Sequence, residues 1–195
     1  LRAELAKIHR RLQTTFIYVT HDQVEAMTMG TRIAVKKDGK ILQADTPRDV
    51  YERPENLFIA GFVGSPRMNF FDVRVVGTAE EMYIEDSAFK FRIPPEKARA
   101  MNAYLGKQVI FGIRPEDVHD QQYPPPGIAA EQLILTVDVT ELLGSEVVLY
   151  LLQGPNQVIA RVDRRNSGRV GQEIAMTLDM NSAHFFDAHT EKAIH

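Results

Sequence analysis

Leu1, Leu5, Ile8 and Leu12 recur at intervals of three and four, the spacing of one face of an amphipathic helix, so LRAELAKIHRRLQ is expected to be helical. The next apolar block, Phe16-Ile17-Tyr18-Val19, shows no alternation and is β-branched and aromatic. Such a run predicts a short strand buried on both faces, typical of parallel sheets. There the pattern changes. Asp22 is placed as an N-cap with Glu25 at N3, a variant of the capping box that stabilises a helix by about 1 kcal/mol, and this predicts a helix from Val24 to Met29.

Further on, Asp38-Gly39 between Arg32–Lys36 and Lys40–Gln43 is a strong short signal for a type I′ hairpin. Thr46 as N-cap, Pro47 at N1 and Asp49 at N3 start a short helix, which Arg53 before Pro54 ends. Leu57, Ile59, Ala60 and Phe62 predict a second one, closing near Gly64. From Pro66 the period changes to that of strands. Asn69–Val76, Glu81–Asp86, Phe89–Ile93, Gln108–Arg114, Leu133–Thr140, Glu146–Leu152, Gln157–Val162 and Glu173–Leu178 are short β segments separated by Gly, Pro and Asp, the spacing of a barrel or sandwich. One helix, over PPEKARAMNAYLG from Pro94, interrupts them, and Tyr123–Gly127 is a stiff exposed loop.

Composition changes this picture little. The chain of 195 residues is long enough for one large or two modest domains with a real core. Its lack of cysteine removes disulfide and thiolate-metal chemistry and fits a reducing compartment, with the cytosol as the expectation. No apolar run reaches the roughly 18 residues needed to cross a bilayer, and no signal peptide is read before the first helix, so a soluble chain is expected. A net charge of −3 gives no general footprint for nucleic acid, so any anion site must be local.

The candidate for chemistry is His21. It sits where the apolar run stops and a helix begins, and in open parallel sheets ligands bind beyond the carboxyl ends of strands, next to helix N-termini that favour phosphate. A histidine at such a turn is also often a capped or solvent-facing side chain. Position alone leaves both readings open.

The order YVTHDQVEAMTM, the Asp38-Gly39 hairpin, TPRDVYERPENLFIAGFVGSPRMNFF, FGIRPEDV and ELLGSEVVLY resembles the ATP-binding subunits of sugar-import ABC transporters of the maltose and multiple-sugar type, over essentially the whole chain. The resemblance implies an α/β remnant of an ABC ATPase domain over residues 1–63, followed over 64–195 by an all-β, OB-like regulatory barrel of the TOBE type. It implies that His21 is the switch-loop histidine that contacts the γ-phosphate of ATP, a stabiliser and sensor more than a base. It also implies ATP and Mg²⁺ as cofactors of the full-length parent, transmembrane permease subunits and a second copy of the chain as partners, a possible regulatory protein on the β domain, and a cytoplasmic place on the inner face of the membrane.

The family's other ATP-handling motifs are not in this sequence. There is no GxxxxGK[ST] loop, no LSGGQ-like signature and no Asp-Glu pair closing an apolar strand. The chain is therefore expected to be a C-terminal piece, inactive by itself and binding no cofactor tightly. On the residues alone, a free-standing OB-type module for oligonucleotide, oligosaccharide or another small ligand is the alternative. Asp22 and Glu25 are read as a cap and a solvated acid instead of a general-base pair. His184, His189 and His195 are too irregularly spaced for one helical face, so no metal site is expected. Arg161, Arg164, Arg165 and Arg169, interrupted by Asp163, are read as a solvated loop; Phe70 or Phe71 is expected to face inward and Arg114 to anchor a turn.

Overall fold

The computed structural model describes residues 2–154, 156–166 and 168–195. They divide into two compact units, Leu1–Ser65 and Pro66–His195.

The first unit is built from helices and one hairpin. Helix α1 (Arg2–Leu12) and helix α2 (Gln23–Met29) precede an antiparallel pair, β1 (Ile33–Lys37) and β2 (Lys40–Asp45), and two short helices, α3 (Pro47–Glu52) and α4 (Leu57–Phe62). Asp38 and Gly39 both have positive φ, 50° and 79°, as a type I′ turn requires. Thr46 caps α3 by accepting from the Asp49 amide at 3.1 Å, and Asn56 caps α4 by accepting from Ile59 at 3.0 Å. Val35, Val50, Ile59 and Val63 form a small core. Beside it Gln43 is buried and spends its amide on chain it does not neighbour in sequence: Nε2 donates to the Arg53 carbonyl and Oε1 accepts from Glu55 N–H, both at 3.0 Å. A buried amide with both ends used costs little.

One expectation fails here. Phe16–Val19 is not a buried strand: Ile17 and Val19 are 90% and 89% exposed, and Phe16 and Tyr18 about half so. The only sheet among the described residues of this unit is the β1–β2 pair, so the run has no ladder to join. A strand buries its faces only when neighbours supply both hydrogen bonds and covering side chains. The α1 stripe is likewise only partly covered, with Ile8 and Leu12 exposed.

The second unit is mostly β. In chain order it runs β3 (Asn69–Gly77), β4 (Met82–Glu85), β5 (Lys90–Arg92), helix α5 (Pro95–Met101), β6 (Gln108–Ile113), β7 (Val118–Asp120), β8 (Ala130–Leu142), β9 (Glu146–Gln153), β10 (Asn156–Asp163), β11 (Glu173–Asp179) and β12 (His184–Asp187). These make two five-stranded antiparallel sheets, ordered β10-β9-β8-β11-β7 and β12-β6-β3-β4-β5. The edge strands β10 and β7 of the first sheet approach each other, so that sheet curls towards closure.

Inward residues of both sheets share one core, from Phe71, Val73 and Val75 on β3 through Phe111 on β6 to Leu149 and Leu151 on β9. Phe71 is the inward ring of the Phe70-Phe71 pair and packs on Phe89 and Phe111 with centroids 5.6 Å away in each case. Asn69 is buried and ties the two sheets: its Nδ2 donates to the Ile159 carbonyl at 2.8 Å and its Oδ1 accepts from the Ile159 amide at 2.7 Å, so the side chain pairs like a strand. Two strands not foreseen, β7 and β12, fill edges. Arg161 is also not on a loop, because it lies on β10 opposite Val148 and reaches Glu116 and Glu146 at 3.5 and 3.8 Å. Arg165 does lie in the exposed turn that follows, paired with Asp163 at 2.9 Å.

Candidate functional site

His21 lies in the bend before α2, and the site is defined by what surrounds that bend. Asp22 caps the helix, its Oδ1 accepting from the Val24 amide at 2.7 Å and the Glu25 amide at 3.1 Å. Glu25 does not reach back to the cap residue's amide as in a plain capping box. Thr20 mediates instead: its Oγ1 accepts from the Asp22 amide at 3.0 Å and donates to Glu25 Oε2 at 2.8 Å. The Tyr18 hydroxyl donates to the same carboxylate oxygen at 3.0 Å, and that bond raises the Tyr18 pKa. The bend is thus fixed on both sides of His21 by a chain of hydrogen bonds from Tyr18 to Glu25.

Gln23, which the sequence does not single out, locks the start of α2 to a distant part of the unit. Its Nε2 donates to the Phe62 carbonyl and its Oε1 accepts from the Gly64 amide at 2.9 Å. An amide that uses both ends on one backbone segment acts as a strut. It ties the start of α2 to the end of α4.

The imidazole itself stands out of this network. His21 is exposed, and among the described residues no group hydrogen-bonds its ring. The anion-binding expectation changes accordingly. The first amides of α2, which would face a phosphate, are already taken by Asp22, and the Asp22 and Glu25 carboxylates disfavour an anion beside them. The helix end is thus closed to an anion, while the His21 ring is exposed beside it. No three His, Asp or Glu side chains among the described residues come together in a way that would hold a metal ion.

Of the later histidines, His189 and His195 are exposed and His184 is partly buried. His184 lies on β12, where desolvation together with the nearby charges of Arg114 and Lys97 pushes its pKa down to about 3. It is neutral at ordinary pH. Arg114, almost fully buried, precedes the turn that leads from β6 to β7.

Residues 64–118 match the model of the MalK OB fold domain, and residues 111–186 that of the TOBE domain. The whole chain is 47% identical to the oligosaccharides import ATP-binding protein MsmX of Bacillus subtilis (strain 168), and it covers 53% of that protein. It is a homologue of sugar-import ABC ATP-binding proteins. A second relative, the trehalose/maltose import ATP-binding protein MalK of Thermococcus litoralis, is 42% identical over the whole chain, which covers 52% of it. The chain thus spans about half the length of the curated relatives it matches. The mostly β unit carries the OB and TOBE domains of these homologues, in agreement with the barrel expected over the second part of the chain. A solved molybdate-binding protein, ModG, overlaps at a TM-score of 0.45 and 16% identity, covering 61% of this chain and 94% of its own, a level from which no shared fold follows.

Proposed function

We propose that this chain is part of an ATP-hydrolysing subunit that energises import of a carbohydrate, with His21 as its phosphate-contacting residue and residues 64–195 as its regulatory and dimerisation region. The observation that carries the reading is the 47% identity, over the entire chain, to a protein named for oligosaccharide import. Residues 1–63 are then the end of a nucleotide-binding domain. The full-length parent uses ATP with Mg²⁺, works with transmembrane permease subunits and a second copy of itself on the inner face of the membrane, and receives regulatory proteins on the β unit. No helix among the described residues is long and apolar enough to cross a membrane.

The geometry around His21 supports the role. An exposed imidazole that no described residue hydrogen-bonds, on a bend braced by Thr20, Asp22 and Glu25, is held in place while its ring faces solvent. A ring nitrogen there donates to a terminal phosphate oxygen as that oxygen gains charge, which is electrostatic stabilisation and not proton abstraction. Gln23 links that contact to the chain at residues 62–64.

The test is calorimetry with Mg²⁺·ATP on this chain and on the same chain extended upstream through a phosphate-binding loop. Binding only by the extended chain is expected. In the extended chain, His21→Ala should then lower turnover about 100-fold, the usual effect of losing one such donor, while leaving ATP affinity nearly intact. Unchanged turnover removes the role of His21, and ATP binding by the present chain removes the whole assignment of a shared site.

A further inference from the structure

We propose that Gln23 is a positioning residue that clamps the exit segment Phe62–Gly64 to the His21 bend. The phosphate contact and the conformation of the chain entering the β unit then change together, which rests on His21 as the phosphate-contacting residue.

Local structure places Gln23 for this. It is the first residue of α2, directly after the Asp22 cap, so its backbone goes where the His21 bend goes. At the far end of the strut, Val63 belongs to the small core of the first unit, and Met68 is buried next to Gly112 of β6 in the second. Between them runs Gly64–Arg67, half-buried or exposed. The connecting chain therefore starts at Gly64, whose φ of 122° lies in the region that favours glycine.

Gln23 grips that start on both sides of Val63. Its Nε2 donates to the Phe62 carbonyl, one of the last carbonyls of α4 that the helix itself leaves without a partner. Its Oε1 accepts from the Gly64 N–H at 2.9 Å. Val63 between them donates its own N–H to the Ile59 carbonyl at 2.9 Å. Because one planar amide makes both Gln23 contacts, its rotation disrupts both.

The geometry makes the link switch-like. A hydrogen bond of this kind is made near 2.9 Å and is gone by about 3.6 Å. A displacement of the first turn of α2 by about 1 Å therefore either carries residues 62–64 with it or breaks the strut. These are two discrete arrangements, the physical requirement for coupling between separate places in a molecule. A phosphate that fixes the His21 ring fixes the bend and the first turn of α2, and so favours the strut being made. By linkage the effect is reciprocal, and whatever fixes Gly64 tightens the phosphate contact by the same factor.

The first arm of the experiment is amide hydrogen exchange in the 195-residue chain. In Gln23→Ala the Gly64 amide should exchange about 5- to 10-fold faster, while the Val63 amide keeps its rate. Gln23→Glu keeps an acceptor for Gly64 and loses the donor to Phe62, so it should protect Gly64 where alanine does not. A Gly64 amide that is no faster in Gln23→Ala, or a Val63 amide that accelerates as much, overturns the strut.

The second arm uses the chain extended upstream through a phosphate-binding loop, with Mg²⁺ and either ADP or the non-hydrolysable β,γ-imido analogue of ATP. The analogue should slow Gly64 exchange about 5-fold relative to ADP in the wild type and make no difference in Gln23→Ala, which still binds it. An equal change in both proteins, or none in the wild type, overturns the coupling even where His21→Ala lowers turnover as expected. Normal turnover in His21→Ala instead removes the reading of His21, and the coupling to phosphate falls with it.

Discussion

Phe16–Val19 and Val147–Leu152 are stretches of the same kind, unbroken apolar runs containing valine and tyrosine, and they end up in opposite environments. In the first, Ile17 is 90% exposed. In the second, Leu149 and Leu151 are completely buried on β9, which has β8 on one side and β10 on the other. Intrinsic preference for extended backbone is similar in both. The difference is the presence of two neighbouring strands, which satisfy the backbone of β9 and cover its side chains. An apolar run states what it would bury, and its neighbours decide whether it does.

The strongest way to break this comparison is to truncate one residue on each side of it. Phe111→Ala, which removes a fully buried ring packed on Phe71, Phe89 and Phe185, should cost about 3–5 kcal/mol in urea unfolding. Ile17→Ala should stay within about 0.5 kcal/mol. A cost above about 1 kcal/mol at Ile17 would mean that the run is covered in solution after all.

A polar version sharpens the same point. Asn69→Leu keeps the volume but leaves the Ile159 amide and carbonyl without partners, so a loss of about 1–3 kcal/mol is expected by the same measurement. The exposed counterpart is Asp22→Ala, which frees the amides of Val24 and Glu25. Its cost should be about 1 kcal/mol, read as faster hydrogen exchange at those two amides with little change in the β unit.

The smallest expected effect is at Asp187. Amides of Thr190 and His189 hold its carboxyl down to about 2, against an ordinary value of 3.8. Its contribution is therefore present above pH 4 and lost as pH falls through about 2. In Asp187→Asn that contribution is missing at every pH, so stability at neutral pH should fall modestly, as expected for a solvent-exposed carboxylate, and the acid-side loss should disappear. NMR titration of the carboxyl checks it.

Much of the architecture was legible because it is local. The Asp38-Gly39 turn, the Thr46 cap with Pro47 and the alternation along β3 each depend on residues within a few positions of one another. Strands β7 and β12 were not, since each spans only three or four residues and owes its existence to Met176–Leu178 and to Val109–Gly112. A Phe185-Phe186 pair was the available signal for β12, and it sat among histidines that drew attention to metal binding instead. At the candidate site the sequence marked His21, Asp22 and Glu25. It did not mark Gln23, whose partners at Phe62 and Gly64 lie far along the chain, nor Thr20 as the relay to Glu25.

The sequence by itself determined where turns and caps fall, that the second part of the chain is a run of short strands, and a motif order shared with sugar-import ATP-binding proteins. Only the tertiary structure decided which apolar runs are covered, that Asp22 occupies the first amides of α2, and that Asn69 joins two sheets. The reason is the range of the forces involved. Turn and cap preferences act over a few residues, whereas burial and desolvation are fixed only when distant segments meet.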